Sequence, residues 1–264
     1  MDLEKLLSSY YENYDEDGRL TSPHGSIEFL TTIRYIERYL RPGMRILEIG
    51  AGTGRYSHHF ARQGYAVDAV ELVEHNIEIF KENTQPDESI TIRQGNALDL
   101  SDFADNTYDI TLLLGPMYHL FTAGEQLQTL EEALRVTKSG GIVFVAYCMA
   151  DACIVQYGFL RGMLPELIEK KLYDPQTGEA SSDPTELFEL HTREKIENLT
   201  NDLSCTRLHF VGTDMYTNYF RPQIDSMDKT LFGHYVNYHF SICERPDLVG
   251  LSNHVLDVLK KTNE

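Results

Sequence analysis

Hydrophobic positions along the chain alternate between two kinds of spacing. Short, nearly continuous apolar runs are typical of buried strands, whereas apolar residues that recur every three or four positions are typical of amphipathic helices. The predicted strands are residues 44–49, 65–71, 89–93, 108–114 and 142–147. The predicted helices are residues 26–40, 55–63, 73–83 and 125–136. This order predicts a doubly wound α/β fold, in which a mostly parallel sheet carries helices on both faces.

The alternation stops after the fifth predicted strand. Residues 149–191 contain short helical pieces separated by polar turns, which indicates an α-helical insertion. Helix, strand, helix and strand patterns then follow at residues 192–203, 206–212, 224–243 and 254–259. We therefore expect a single domain, residues 1–264, made of a helical cap at 1–40, a core at 41–148, the insertion at 149–191 and a part that completes the sheet at 192–264.

Composition narrows the classes of protein that fit. The chain has 23 basic and 41 acidic residues, a net charge of −18, and lacks the lysine or arginine clusters that bind nucleic acid. No apolar run approaches the ~20 residues of a membrane span. The acidic start Met1–Lys5 does not resemble a signal peptide, so we expect a cytoplasmic protein. The four cysteines lack zinc-ligand spacing, so we expect reduced thiols and no metal.

A glycine-rich segment follows the first predicted strand. The residues Glu48-Ile49-Gly50-Ala51-Gly52-Thr53-Gly54 have the pattern E-x-G-x-G-x-G and lie between a strand and a helix. Glycines there let the backbone approach a ligand closely at the carboxyl edge of a sheet. A dinucleotide-binding fingerprint, G-x-G-x-x-G, would need glycine at position 55, where Arg55 stands. This spacing disfavours a nicotinamide-dependent oxidoreductase.

Two further segments place polar groups at the same predicted edge. Glu71 ends the second strand, where a carboxylate can accept hydrogen bonds from both ribose hydroxyls of a nucleoside. Asp68 competes for that role but lies in the middle of the strand. Asn96 follows the third strand and can bond the edge of an adenine ring that Leu72 and Leu98 would sandwich. Asn96 is alternatively an ordinary turn residue.

Together, the glycine loop, the acidic strand end and the Gly95-Asn96-Ala97 turn resemble class I S-adenosylmethionine-dependent methyltransferases. The resemblance runs from about Arg41 to Tyr147, and residues 250–256 resemble the antiparallel strand that closes the sheet in that family. It implies a seven-stranded, mostly parallel, Rossmann-like sheet. It also implies that the cofactor S-adenosylmethionine lies across Gly50–Gly54.

The family pattern implies a role for each matching residue. Glu48 and the loop glycines would meet the methionine moiety, Glu71 the ribose, and Asn96-Ala97 the adenine. Many relatives carry aspartate where Asn96 stands, and asparagine keeps the acceptor oxygen but not the charge. The expected cofactor-binding residues are Tyr14, Glu48, Gly50, Ala51, Gly52, Gly54, Glu71, Leu72, Asn96, Ala97 and Leu114.

The substrate side is indicated by residues 114–120, Leu-Gly-Pro-Met-Tyr-His-Leu, which follow the fourth strand. They resemble an L-G-P-x-Y-H-L tract of a bacterial group of methyltransferases. His119 and Tyr118 are the predicted catalytic residues. His119 could accept a proton from a nucleophile near neutral pH, or be a structural histidine bonded to the backbone. Tyr118 could line the pocket or only pack. Tyr10, Tyr11 and Tyr14 could cover the cofactor through cation–π contact with its sulfonium, or pack as ordinary amphipathic residues.

The leading hypothesis is a methyltransferase that acts on a small molecule. Methylation of RNA or protein is an alternative, against which the acidity of the chain and the lack of an N-P-P-Y-type tract weigh. A non-catalytic S-adenosylmethionine-binding module is a third reading, because a fold does not establish activity. The insertion at 149–191 is open to interpretation as a substrate lid or as the contact of a homodimer.

Overall fold

A single twisted sheet organises the protein, whose structure, a computed structural model, describes residues 3–14 and 18–262. Met1 and Asp2, part of the acidic start of the chain, lie outside the described residues. The strands are β1 Arg45–Ile49, β2 Ala66–Glu71, β3 Ile90–Gln94, β4 Tyr108–Leu113, β5 Thr137–Met149, β6 Leu190–His191, β7 Cys205–Gly212 and β8 His254–Lys261. Their order is β3-β2-β1-β4-β5-β8-β7, and β6 pairs with β5 off this path.

Strand direction follows the expected pattern. Strands β1 to β6 pair in parallel, whereas β8 lies antiparallel to both β5 and β7. The seven strands on the main path confirm the predicted doubly wound, mostly parallel sheet. The two-residue strand β6 was not predicted, because two residues are too short to show any periodicity.

Helices cover the sheet on both faces. They are α1 Leu3–Tyr11, α2 Pro23–Glu37, α3 Arg55–Ala61, α4 Glu74–Asn83, α5 Ala123–Val136, α6 Ala150–Cys153, α7 Leu164–Glu169, α8 Arg193–Thr200, α9 Arg221–Asp225 and α10 Lys229–Ile242. Successive residues of β1 belong to different cores: Leu47 packs in the cluster that includes Leu130 of α5, and Ile46 in the cluster that includes Phe60 of α3. Since neighbouring side chains of a strand point to opposite faces, the sheet separates two apolar cores.

Helix starts are set by side-chain caps. Helix α2 begins at Pro23, three residues before the predicted start, because the Ser22 hydroxyl accepts the Gly25 N–H at 3.1 Å. Helix α5 begins with a capping box, in which Thr122 and Glu125 each accept the backbone N–H of the other at 3.2 Å.

Two predicted elements differ from the structure. The helix expected over 224–243 is two helices, because the Asp228 carboxylate accepts the N–H groups of Thr230 and Leu231 and starts α10 anew. The fifth strand, expected over 142–147, is longer, since β5 begins at Thr137 and pairs with β4 through a register shift between Tyr108 and Ile110.

The insertion leads away from the end of β5 and returns to it. Helix α6 continues into a π-helix at Ile154–Leu160, and α7 follows. The chain returns at β6, whose Leu190 and His191 pair with Cys148 and Met149 of β5. The division of the domain into cap, core, insertion and C-terminal part stays a prediction. Within the described part of the chain, no helix combines the length and apolarity needed to cross a lipid bilayer.

Candidate active site

The glycine loop after β1 is held tightly at the carboxyl edge of the sheet. Gly50 and Gly52 have φ angles of 71° and 55°, a region that other residues rarely adopt. The N–H groups of Gly50 and Ala51 both donate to the Val70 carbonyl of β2, at 2.8 and 3.0 Å. A Cβ atom on Gly50 would lie 2.5 Å from Cδ of Pro116. Glycine is therefore required for the loop to lie between β2 and the turn that follows β4.

Gly54 is required by the packing of the loop against α4. It caps the start of α3 with a φ of 89°, and a Cβ atom there would lie 2.4 Å from the ring of Phe80 in α4. Gly54 is not among the residues that line the cavity, unlike the other predicted cofactor-binding residues, and its contact with a cofactor stays a prediction.

A cavity of about 1330 Å³ lies at this edge of the sheet. It brings together nearly all the residues that were predicted for the cofactor and for catalysis, although they come from five separate stretches of chain. Those in its wall are Tyr14, Glu48, Gly50, Ala51, Gly52, Glu71, Leu72, Asn96, Ala97, Leu114, Tyr118 and His119. Their contacts with a cofactor stay predictions.

The buried carboxylate of Glu71 faces the glycine loop. One oxygen accepts the Gly52 N–H at 2.8 Å, and the other accepts the Val73 N–H at 2.9 Å and an amide hydrogen of Asn76 at 3.3 Å. Asp68, the competing acidic residue, lies outside the cavity wall. Its oxygens accept hydrogen bonds from Arg45, Thr91 and Tyr108 at 2.6 to 2.8 Å. The geometry therefore favours Glu71 over Asp68 as the ligand-facing acid.

Glu48 is a second buried acid in the cavity wall. Its side chain is 2% exposed and accepts a hydrogen bond from the Ser57 hydroxyl. Burial raises the pKa of Glu48 to about 8, so the carboxyl group holds a proton at neutral pH. A cation brought close to it would favour the charged form. The position suits the ammonium or sulfonium of an amino-acid-like ligand.

Asn96 is engaged in its own loop. Its side-chain oxygen accepts the Leu98 N–H at 3.0 Å, and its amide donates to Glu4 of α1 at 3.4 Å. The turn role is therefore observed. Leu72 and Leu98 both lie in the cavity wall, as the proposed sandwich of an adenine ring requires.

Both ring nitrogens of His119 are occupied. Nδ1 lies 2.7 Å from the Leu187 carbonyl, to which it must donate, and Nε2 therefore accepts from the Tyr11 hydroxyl at 2.9 Å. Burial lowers the pKa of His119, so the ring is neutral at pH 7. For His119 to act as a base, Tyr11 would first have to release Nε2. The observed bonds match the structural alternative, and the catalytic role stays a prediction.

Tyr118 is buried in the cavity wall. Burial raises its pKa far above the usual range, so the hydroxyl stays protonated. Its ring lies 5.7 Å from the ring of His254. Tyr10 and Tyr14 stack with their ring centroids 5.2 Å apart and border the same cavity. Helix α1 and the residues after it thus form part of the cover over the site.

Comparison with known proteins agrees with this geometry. Residues 47–145 match the family model described as a methyltransferase domain. A demethylmenaquinone methyltransferase of Renibacterium salmoninarum is 38% identical over 106 residues, which are 40% of this chain and 41% of that protein. The ubiquinone biosynthesis O-methyltransferase of Caulobacter vibrioides is 33% identical over 105 residues, 39% of this chain and 40% of that protein. The chain thus matches less than half the length of these curated relatives.

A solved structure extends the likeness in fold to most of the chain. A SAM-dependent methyltransferase from Methanosarcina mazei superposes with a TM-score of 0.58 at 19% identity, over 87% of this chain and 98% of that one. Residues 47–145 thus match a methyltransferase domain, and most of the chain shares the fold of a SAM-dependent methyltransferase. The cofactor that such a domain implies is S-adenosylmethionine. Its chemistry fits the cavity, because Glu48 and Glu71 are buried acids that suit a cationic amino-acid end and a ribose.

The methyltransferase cavity also contains residues that sequence reasoning missed. His254 begins β8, and its Nδ1 donates to a carboxylate oxygen of Asp214 at 2.8 Å. Glu28 of α2 lies 3.5 Å from the same nitrogen. These three residues come from distant parts of the sequence. Among the residues that the structure describes, they form the one group of side chains close enough together to share a metal ion. No local pattern in the sequence indicates their meeting.

Proposed function

We propose that this protein transfers the methyl group of S-adenosylmethionine to a small-molecule acceptor. One observation supports the proposal: a cavity of about 1330 Å³ reaches from the glycine loop to a region that is lined by aromatic side chains. Pockets for one small ligand are typically ~300–1,000 Å³. The cavity is therefore large enough for the cofactor and an acceptor together.

The cover of the cavity supports a small acceptor. Helix α1 contributes Leu7, Tyr10 and Tyr11 to the wall, and the insertion contributes Tyr157 and Phe188. A macromolecule would have to displace these segments to bring an interior residue to the site. The net charge of −18 also weighs against an RNA substrate.

Methyl transfer depends more on how the acceptor is positioned than on acid–base groups. S-adenosylmethionine, when bound, supplies an electrophilic methyl group on a sulfonium. The residues of this chain would hold the acceptor in line with it and exclude water, which the aromatic cover favours. A nucleophile that is already deprotonated would need no base, and His119 would then act only by holding the turn at Pro116–Tyr118.

The curated relatives support the same class of acceptor. Their names describe methyltransferases of demethylmenaquinone and of ubiquinone biosynthesis, and both refer to small molecules. The matched segment is the cofactor-binding part of this chain, so these names carry no argument for a quinone acceptor here.

Two measurements test the proposal. In calorimetric titration we expect S-adenosylmethionine to bind and NAD not to bind, because glycines stand at positions 50, 52 and 54 but arginine at 55. Methyl-labelled cofactor is then incubated with the protein and with fractionated small metabolites, total RNA or total protein. Label is expected in a metabolite fraction. Label in RNA or protein would replace the small-molecule acceptor, and binding without any transfer would indicate a non-catalytic module.

A further inference from the structure

A chain of hydrogen-bonded side chains reaches the cavity wall from the C-terminal part of the sheet. Arg221, the first residue of α9, donates from Nε to the Asn218 side-chain oxygen at 2.8 Å. Asn218 donates to Oδ2 of Asp214 at 2.5 Å, and Nδ1 of His254 donates to the same oxygen at 2.8 Å. Arg221, Asn218 and His254 border the cavity, whereas Asp214 is 2% exposed behind them. Two basic side chains are thus held in place through one buried carboxylate.

The charges of this group do not cancel. Arg19 pairs with Glu28 at 3.0 Å, and His254 pairs with Asp214. Arg221 forms no ion pair with any residue in 3–14 or 18–262. Other carboxylates of the cavity wall are bonded elsewhere, namely Glu4 to Asn96, Glu125 to Thr122, Asp183 to Thr185 and Glu186 to Lys170.

His254 is a cation in this arrangement. Burial by itself lowers the pKa of the imidazole, but the facing carboxylates of Glu28 and Asp214 raise it well above the usual range, as does Cys148 across the strand pair. Nδ1 carries the hydrogen that Asp214 accepts, and the Cys148 side chain is a further hydrogen-bond partner of the ring, so His254 contributes its positive charge rather than a free N–H group. A cationic histidine of this kind binds an anion rather than removing a proton.

We infer that the acceptor carries an anionic oxygen group of the carboxylate class, which Arg221 and His254 bind. This inference rests on the proposed function, because it names the acceptor class of the same cavity. A guanidinium matches a carboxylate with two parallel hydrogen bonds, and burial strengthens such charge-assisted bonds. Tyr118, Tyr157 and Phe188 line the same cavity, so the acid extends from an aromatic or otherwise apolar body.

The test compares two probes of equal shape and different charge. S-adenosylhomocysteine is first titrated into the protein to fill the cofactor position, and benzoate or benzamide is then titrated at pH 7 and followed by NMR. We expect benzoate to bind roughly ten- to a hundredfold more tightly than benzamide. Arg221→Gln should remove most of that preference. Arg221→Lys, which keeps the charge but not the planar guanidinium, should keep part of it.

Arg245→Gln is the matched control. Arg245 pairs with Asp247 on the exposed surface, outside the cavity wall, so the same loss of charge there should leave the benzoate preference unchanged. Equal binding of benzoate and benzamide to the loaded protein would overturn the inference and leave the proposed function intact. So would an unaltered preference in a folded Arg221→Gln variant. Failure of S-adenosylhomocysteine to bind would count against the proposed function instead, and the same titration on the unloaded protein would then decide the anion site by itself.

Discussion

Glu71 holds the glycine loop and is the residue predicted to bind the ribose of the cofactor. Its carboxylate accepts two backbone N–H groups, from Gly52 and Val73, and therefore fixes the loop before any ribose is bound. The charge matters for both tasks, since hydrogen bonds to an ionised acceptor are about twice as strong as those between neutral groups. A neutral isostere separates the effect of charge from the effect of shape.

Glu71→Gln should weaken S-adenosylmethionine binding by roughly ten- to a hundredfold, the loss expected for ~1.5–3 kcal/mol of charge-assisted bonding. Calorimetric titration measures it. Asp68→Asn is the control, because Asp68 bonds Arg45, Thr91 and Tyr108 outside the cavity. It should lower thermal stability with little change in affinity. The reverse result, a loss of affinity in Asp68→Asn alone, would show that the ligand-facing acid is wrongly assigned.

Glu48 predicts a pH dependence of stability. Below pH 4.5 the residue is protonated in both folded and unfolded chains. Between pH 4.5 and about 8 the unfolded chain releases this proton while the buried carboxyl group keeps it, so the free energy of unfolding falls as pH rises. Without cofactor, the melting temperature of the unaltered protein should therefore drop relative to Glu48→Gln from pH 5 to pH 8. Glu131→Gln, on the exposed surface of α5, should show no such trend, and a constant difference for Glu48→Gln would refute the assignment.

At the level of elements, a hydrogen bond between side chains joins α1 to the turn after β4. The Tyr11 hydroxyl donates to His119, which in turn donates to Leu187 of the insertion. The N-terminal helix, the turn after β4 and the insertion thus meet at one imidazole. Because all three border the cavity, this bond links the two parts of its cover.

Tyr11→Phe should loosen α1 by about 0.5–1.5 kcal/mol, the usual net contribution of one hydrogen bond. Hydrogen exchange of residues 4–11 measures the effect. His119→Ala should increase exchange in the same segment, and the double variant should add little, because both changes remove one interaction. Additive effects would show that the bond does not hold α1. A ~10²–10⁴-fold loss of turnover in a stable His119→Ala protein, with Tyr11→Phe fully active, would instead support the base.

At the scale of the whole molecule, the sheet edge and its cover define one ligand cavity in an acidic protein. The net charge of −18 is spread over a surface on which several basic side chains form ion pairs with neighbouring acids, as Arg135 does with Glu132 and Asp105. Arg221 and His254 instead place their positive charge at the wall of the cavity. A charge distribution of this kind favours a small anion over a polyanion, because the exterior repels phosphate backbones.

Local patterns were sufficient for the core of the fold and for most of the predicted residues that line the cavity. The loop at 50–54 and the acid at the end of β2 are recognisable because each follows directly from a buried strand, and parallel strands end at one edge. The break between α9 and α10 and the two-residue β6 were missed. A single Asp228 cap and a two-residue bridge leave no periodic signal.

The sequence by itself determined the seven strands on the main path of the sheet and most of the predicted cofactor-binding residues that line the cavity, because those features depend on neighbours within a few positions. Only the tertiary structure shows which residues meet on the side of the cavity that is proposed for the acceptor. Glu28, Asp214 and His254 lie far apart in the chain and meet where β8 inserts between β5 and β7. Their charges and the direction of their hydrogen bonds follow from burial beside one another, which no stretch of sequence expresses alone.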